Sequence, residues 1–118
     1  MKIINTLPSP VQLKEQLTLS SAEVDARISR IREVQDVLAG RSKKLLLIIG
    51  PCSADSSDAV LDYVDRLSSL QKKVNNQFII VPRIYTCKPR TTGEGYKGML
   101  HQPKLDQEEN ILEGQTFV

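Results

Sequence analysis

Two apolar runs constrain this chain more than any other feature. "LLLII" (Leu45–Ile49) is stopped by Gly50, and "FIIVPRIY" begins at Phe78. The first is continuous rather than alternating, which suits a strand covered on both faces. Between the runs, residues 57–73 carry Val60, Leu61, Val64, Leu67 and Leu70 at helical spacing, with Asp55 or Ser56 placed to cap them. A strand–helix–strand unit of this length makes two parallel strands joined by a right-handed crossover. Two parallel strands alone are not a stable sheet. The pattern therefore predicts an α/β fold with neighbours that this sequence does not supply.

Before the first strand, residues 1–19 read as an extended arm with a short helical turn near Val11–Leu17. A longer helix follows. Ser20 and Glu23 have capping-box spacing, Val24, Ile28, Ile31, Val34 and Leu38 form one apolar face, and Gly40 stands where a left-handed cap is expected. After the second strand come the glycine-rich "TTGEGYKG" and a tail, "LDQEENILEGQTFV", which starts a helix without completing one. Pro82 has no N–H for a ladder, so pairing is expected to fail or bulge there. The domain reading is an N-terminal arm and helix over 1–43, then two strands, their crossover helix and a basic loop over 44–118.

The net charge of +2 comes from 16 basic and 14 acidic residues. That balance is too even for nucleic-acid or membrane binding by bulk electrostatics, so any anion site must be local. Leu45–Ile49 is far too short to span a bilayer, and no signal pattern opens the chain. With only Cys52 and Cys87, a cytoplasmic setting with reduced or metal-bound thiols is the expectation. Aromatics make up 4% and tryptophan is absent, a thin supply for an independent core that suggests part of something larger.

Two stretches can carry chemistry. In "IIGPCSAD", Gly50 turns the backbone, Pro51 stiffens it, and Cys52 is held at the rim where ligands bind in α/β folds. A thiolate there can ligate a divalent metal. The plainer reading is a small thiol packed under a turn, and it is favoured by spacing alone because no second ligand lies nearby. In "RIYTCKPRTT", Arg83, Lys88 and Arg90 gather at the end of an apolar strand. Arginine grips carboxylate or phosphate through two parallel hydrogen bonds, and lysine adds a point charge. The Thr91 and Thr92 hydroxyls, with N–H groups freed by Gly93 and Gly95, can complete an oxyanion cradle. A solvated basic turn is the plainer alternative, but it explains Arg83 poorly, since an arginine after "FIIVP" needs a partner. His101 and Cys87 read as incidental.

"IIGPCS" followed by "PRIYTCKPRTTGEGYKGMLHQP" resembles class I 3-deoxy-7-phosphoheptulonate (DAHP) synthases, over most of this chain but only about the first third of that family's usual length. The resemblance implies the first βαβ portion of a (β/α)8 TIM barrel, preceded by an N-terminal helical extension used in assembly and feedback inhibition. It implies a cytoplasmic transferase, expected to be a homo-oligomer. Such an enzyme condenses phosphoenolpyruvate with erythrose 4-phosphate at the start of aromatic amino acid biosynthesis. The cofactor implied is a divalent metal of the manganese, iron, cobalt or zinc class. Cys52 matches the family's metal-ligand cysteine, Arg83 and Lys88 match residues that hold phosphoenolpyruvate, and Arg90 and Thr91 match residues that contact erythrose 4-phosphate. The other metal ligands and six barrel strands have no counterpart here. A fragment or truncated product, inactive alone, is the resulting expectation. The alternative is an inactive module that only self-associates or binds phosphate.

Overall fold

The computed structural model describes residues 6–118. The chain runs through α1 (Pro10–Gln16), α2 (Ser21–Leu38), β1 (Leu45–Ile49), α3 (Ser57–Val74), β2 (Phe78–Pro82) and α4 (Ile111–Phe117). It forms two compact units. One comprises the stretch ending at Thr18, together with Ser53–Ser57 and Tyr85–Val118; the other comprises Leu19–Cys52 and Asp58–Ile84.

The second of these units holds the sheet. β1 and β2 pair in parallel, from Leu45 opposite Phe78 to Ile49 opposite Pro82. The predicted strand–crossover–strand unit is therefore present, with α3 as the crossover. Pairing does not fail at Pro82: the next N–H, of Arg83, donates to the Ile49 carbonyl at 2.8 Å. Residues of a parallel strand present their polar groups to alternate sides. Arg83 bonds toward β1, so the N–H that Pro82 lacks belongs to the outer edge, where proline is tolerated. The strand does end at Pro82, three residues short of the expected Tyr85.

β1 departs from expectation. Its continuous apolar sequence predicts cover on both faces, yet Leu45 and Ile48 are each 63% exposed, and Leu47 and Ile49 are exposed as well. Its main neighbours are β2 and α2, and they leave most of this apolar strand uncovered. Leu67 of α3 and Ile79 of β2 are the buried apolar residues of this unit.

α2 begins and ends as its sequence dictates. Glu23 N–H donates to Ser20 Oγ at 3.3 Å, and Glu23 Oε2 accepts from Ser20 N–H at 2.8 Å, closing the capping box. At the other end Gly40, at φ +69°, donates to the Val37 carbonyl, and Arg41 N–H donates to that of Asp36. These are the two bonds of a Schellman motif. The apolar stripe is present but uncovered: Val24, Ile28, Ile31 and Leu38 are all exposed.

In the other unit, Ser9 and Gln12 cap α1 reciprocally, with Pro10 in its first turn. Ala54 and Met99 are buried apolar residues of this unit. The tail begins the short helix expected of it: Asn110 Oδ1 accepts from Glu113 N–H at 3.1 Å and opens α4, which runs to Phe117. α4 lies against the loop before it, so closely that a Cβ on Gly114 would collide with the Leu100 carbonyl. Among the described residues, no helix is long and apolar enough to cross a membrane.

Candidate functional site

The ends of β1 and β2 form a rim. Gly50 follows β1 with its backbone pressed on the Arg83 carbonyl, so that a Cβ there would overlap that oxygen. Glycine is thus required by close approach, a stronger reason than the turn suggested by sequence. Beyond it, the Arg83 guanidinium donates through Nη2 to the Pro51 carbonyl at 2.6 Å. The partner that an arginine after an apolar strand demands is therefore the turn that carries Cys52. Arg83 itself is exposed, so its apolar neighbours do not bury its charge. Cys52 is also exposed, and neither cysteine is in a disulfide. Its thiol is not the packed group of the plainer reading.

Lys88, Arg90 and Thr91 share one loop of the other unit. Backbone bonds close that loop: Leu100 N–H to the Thr86 carbonyl at 3.0 Å, and Lys88 N–H to the Lys97 carbonyl at 2.7 Å. Gly93, Gly95 and Gly98 hold φ values of +74°, +82° and +101°, which only glycine adopts without strain. The Arg90 guanidinium donates through Nε to the Tyr96 carbonyl at 2.9 Å, fixing its direction across the loop. Thr91 is exposed and Lys88 half-buried. The oxyanion cradle suggested by sequence is incomplete. Gly93 N–H donates to the Arg90 carbonyl at 3.1 Å, so it is spent within the turn.

Tyr96 was missed in the sequence. Its hydroxyl donates to the Ala54 carbonyl at 2.8 Å, while Ala54 N–H donates to the Tyr85 carbonyl at 3.2 Å. Burial, then the charge of Asp55, pushes the Tyr96 phenol above its ordinary range. An aromatic ring set among glycines in a polar loop was the available signal. Lys97 pairs with Glu109 at 2.6 Å and Lys104 with Glu113 at 2.8 Å. The Lys97 hydrogen bond lowers the Glu109 carboxyl below its usual range. His101 takes part through its backbone, accepting from Asn110 N–H at 2.7 Å.

Among the described residues, no three or more His, Cys, Asp or Glu side chains cluster closely enough to hold a metal ion. Cys52 is one thiol without a completed coordination set, and a metal needs more ligands than it offers.

Comparison with known proteins gives a consistent answer. The model of the DAHP synthetase I family matches residues 10–116. The chain is 34% identical over 108 residues to a phospho-2-dehydro-3-deoxyheptonate aldolase of Corynebacterium glutamicum, covering 92% of this chain and 29% of that protein. It is 38% identical over 101 residues to the Tyr-sensitive enzyme of that name from Escherichia coli K12, covering 85% of this chain and 28% of that one. It is similar in structure to the phospho-2-dehydro-3-deoxyheptonate aldolase of Francisella tularensis, with a TM-score of 0.87 and 26% identity, over 99% of this chain and 34% of that chain. The chain thus spans about a third or less of the length of the relatives it matches.

Proposed function

Because the chain belongs to the DAHP synthetase I family, we propose that it is part of a 3-deoxy-7-phosphoheptulonate synthase and carries a share of that enzyme's substrate-binding residues. The observation that supports this most directly is the rim where Arg83 donates to Pro51, next to Cys52 in the chain. In this reading residues 44–118 supply the first βαβ portion of a (β/α)8 barrel and residues 1–43 an extension for assembly and regulation, in a cytoplasmic homo-oligomer.

The reaction joins C3 of phosphoenolpyruvate to the aldehyde carbon of erythrose 4-phosphate; water adds at C2 and phosphate leaves. One substrate brings a carboxylate and a phosphate, the other a phosphate, and cationic groups must offset their repulsion. Arg83 and Lys88 take phosphoenolpyruvate in this proposal. The guanidinium presents a fork to its carboxylate or phosphate, and the ammonium adds a compact charge. Arg90 and Thr91 take the phosphate end of erythrose 4-phosphate. Arg90 is aimed by its bond to Tyr96, and Thr91 offers an exposed hydroxyl. Cys52 is proposed as a single ligand for the divalent metal that the family resemblance implies. The residues described here do not complete that site.

The test has two arms. This chain, given both substrates and manganese, is expected to show no turnover; full activity would overturn the view that residues beyond these are needed. Phosphoenolpyruvate titrated into the labelled chain is expected to shift the amide signals of Arg83 and Lys88, and Arg83→Ala to abolish the shift. A second reading, an inactive self-associating module, is favoured by the exposed apolar side chains of β1.

A further inference from the structure

Tyr96 is bonded at both ends. Its hydroxyl donates to the Ala54 carbonyl at 2.8 Å, and its own carbonyl accepts from Arg90 Nε at 2.9 Å. Ala54 is fully buried, and its N–H donates to the Tyr85 carbonyl at 3.2 Å, so the far end of this tie is held on both sides. The near end starts from a turn with glycine at both Gly93 and Gly95, whose φ values are +74° and +82°. Glycine leaves a turn more backbone freedom than any other residue. The half-buried ring of Tyr96 carries a restraint from that turn to Ala54. Burial, with Asp55, raises the phenol pKa, so the hydroxyl stays a donor well past neutral pH.

Arginine can grip an oxyanion side-on, through Nε and one Nη, or end-on, through both Nη groups. At Arg90 the Nε–H is spent on the Tyr96 carbonyl, which leaves the end-on fork. Arg90 is exposed. An exposed arginine ordinarily keeps its rotamer freedom in water and loses it on binding, and one already held loses less. The neighbouring cation does not compete for the same anion: Lys97 Nζ is paired with Glu109 at 2.6 Å. Instead the Lys97 carbonyl accepts from Lys88 N–H at 2.7 Å, so residues 96 and 97 hold both basic positions of the loop through successive carbonyls.

We infer that Tyr96 is a positioning residue: its hydroxyl, bonded to Ala54, fixes the carbonyl that aims the Arg90 fork end-on at the phosphate of a phosphorylated sugar. Tyr96 acts through Arg90 and need not touch the ligand. The inference rests on the reading above, in which Arg90 takes the phosphate end of erythrose 4-phosphate.

A double-mutant cycle read by NMR on this chain tests it. Tyr96→Phe keeps the ring and removes the hydroxyl; Arg90→Lys keeps the charge and removes the fork. Tyr96→Phe is expected to weaken erythrose 4-phosphate binding about fivefold, the effect of one ordinary hydrogen bond, and to cost nothing further in the Arg90→Lys chain. An equal loss in both backgrounds would mark a merely structural role and overturn the inference, as would no loss in either. The Arg90 Nε–H signal, followed without ligand, separates this from the reading it rests on. It is expected to be slow to exchange in the unaltered chain and fast in Tyr96→Phe. If erythrose 4-phosphate does not bind the unaltered chain, the functional reading fails, and this signal alone judges the positioning: its loss in Tyr96→Phe supports it and its persistence overturns it. If Tyr96→Phe does not fold, the unaltered chain decides, since free exchange of either the Arg90 Nε–H or the Tyr96 hydroxyl proton overturns the inference and protection of both supports it.

Discussion

Single residues here act mostly through backbone geometry, which is why they were unevenly legible. Ser20, Glu23 and Gly40 announced their caps because capping depends on local spacing, and the structure places them as read. The Pro51 carbonyl that receives Arg83, and the Arg83 carbonyl that excludes a side chain at Gly50, are main-chain atoms with no sequence signature. Two expectations belong at this scale. Gly50→Ala is expected to break the rim, because the added carbon meets backbone rather than a movable side chain; loss of Arg83 amide protection would show it, and an unchanged exchange pattern would refute it. Glu23 has its carboxyl pKa lowered by the Ser20 hydroxyl and then by Ser20 N–H. A depressed carboxylate contributes stability above its unfolded value and loses it as pH falls through the folded one. Helix signal in circular dichroism should therefore decline below about pH 4.3, and Glu23→Gln, which keeps an acceptor, should flatten that dependence.

At the scale of elements, hydrophobic period and length were enough to find α2, β1, α3 and β2 with nearly correct limits, since each is set by its own residues. What covers an element is set by others. The run Leu45–Ile49 reads as a doubly covered strand, yet among the described residues it stands exposed. α4 was legible only as a beginning, because its seat depends on Leu100 and on the absence of a side chain at Gly114. With so little apolar area buried, the covered positions matter disproportionately. Ile79, 3% exposed, is the better buried apolar residue of the sheet-bearing unit. Ile79→Ala is expected to cost about 2–5 kcal/mol, measured as a drop in the midpoint of urea unfolding. Leu61→Ala on exposed α3 surface should cost little by the same measure.

For the molecule as a whole, family membership was legible because "IIGPCS" and "PRIYTCKPRTTGEGYKGMLHQP" are idiosyncratic, whereas the chemistry of single positions remained open to plainer readings. Exposed Leu45, Leu47, Ile48 and Ile49 make a contiguous apolar strand in water. We expect dye binding typical of exposed apolar surface and a sedimentation coefficient that rises with concentration; a strict monomer at high concentration would count against it. The compact units exchange the backbone at Thr18–Leu19, Cys52–Ser53, Ser57–Asp58 and Ile84–Tyr85. Each unit is therefore discontinuous in the chain, and neither can be cloned as an uninterrupted reading frame.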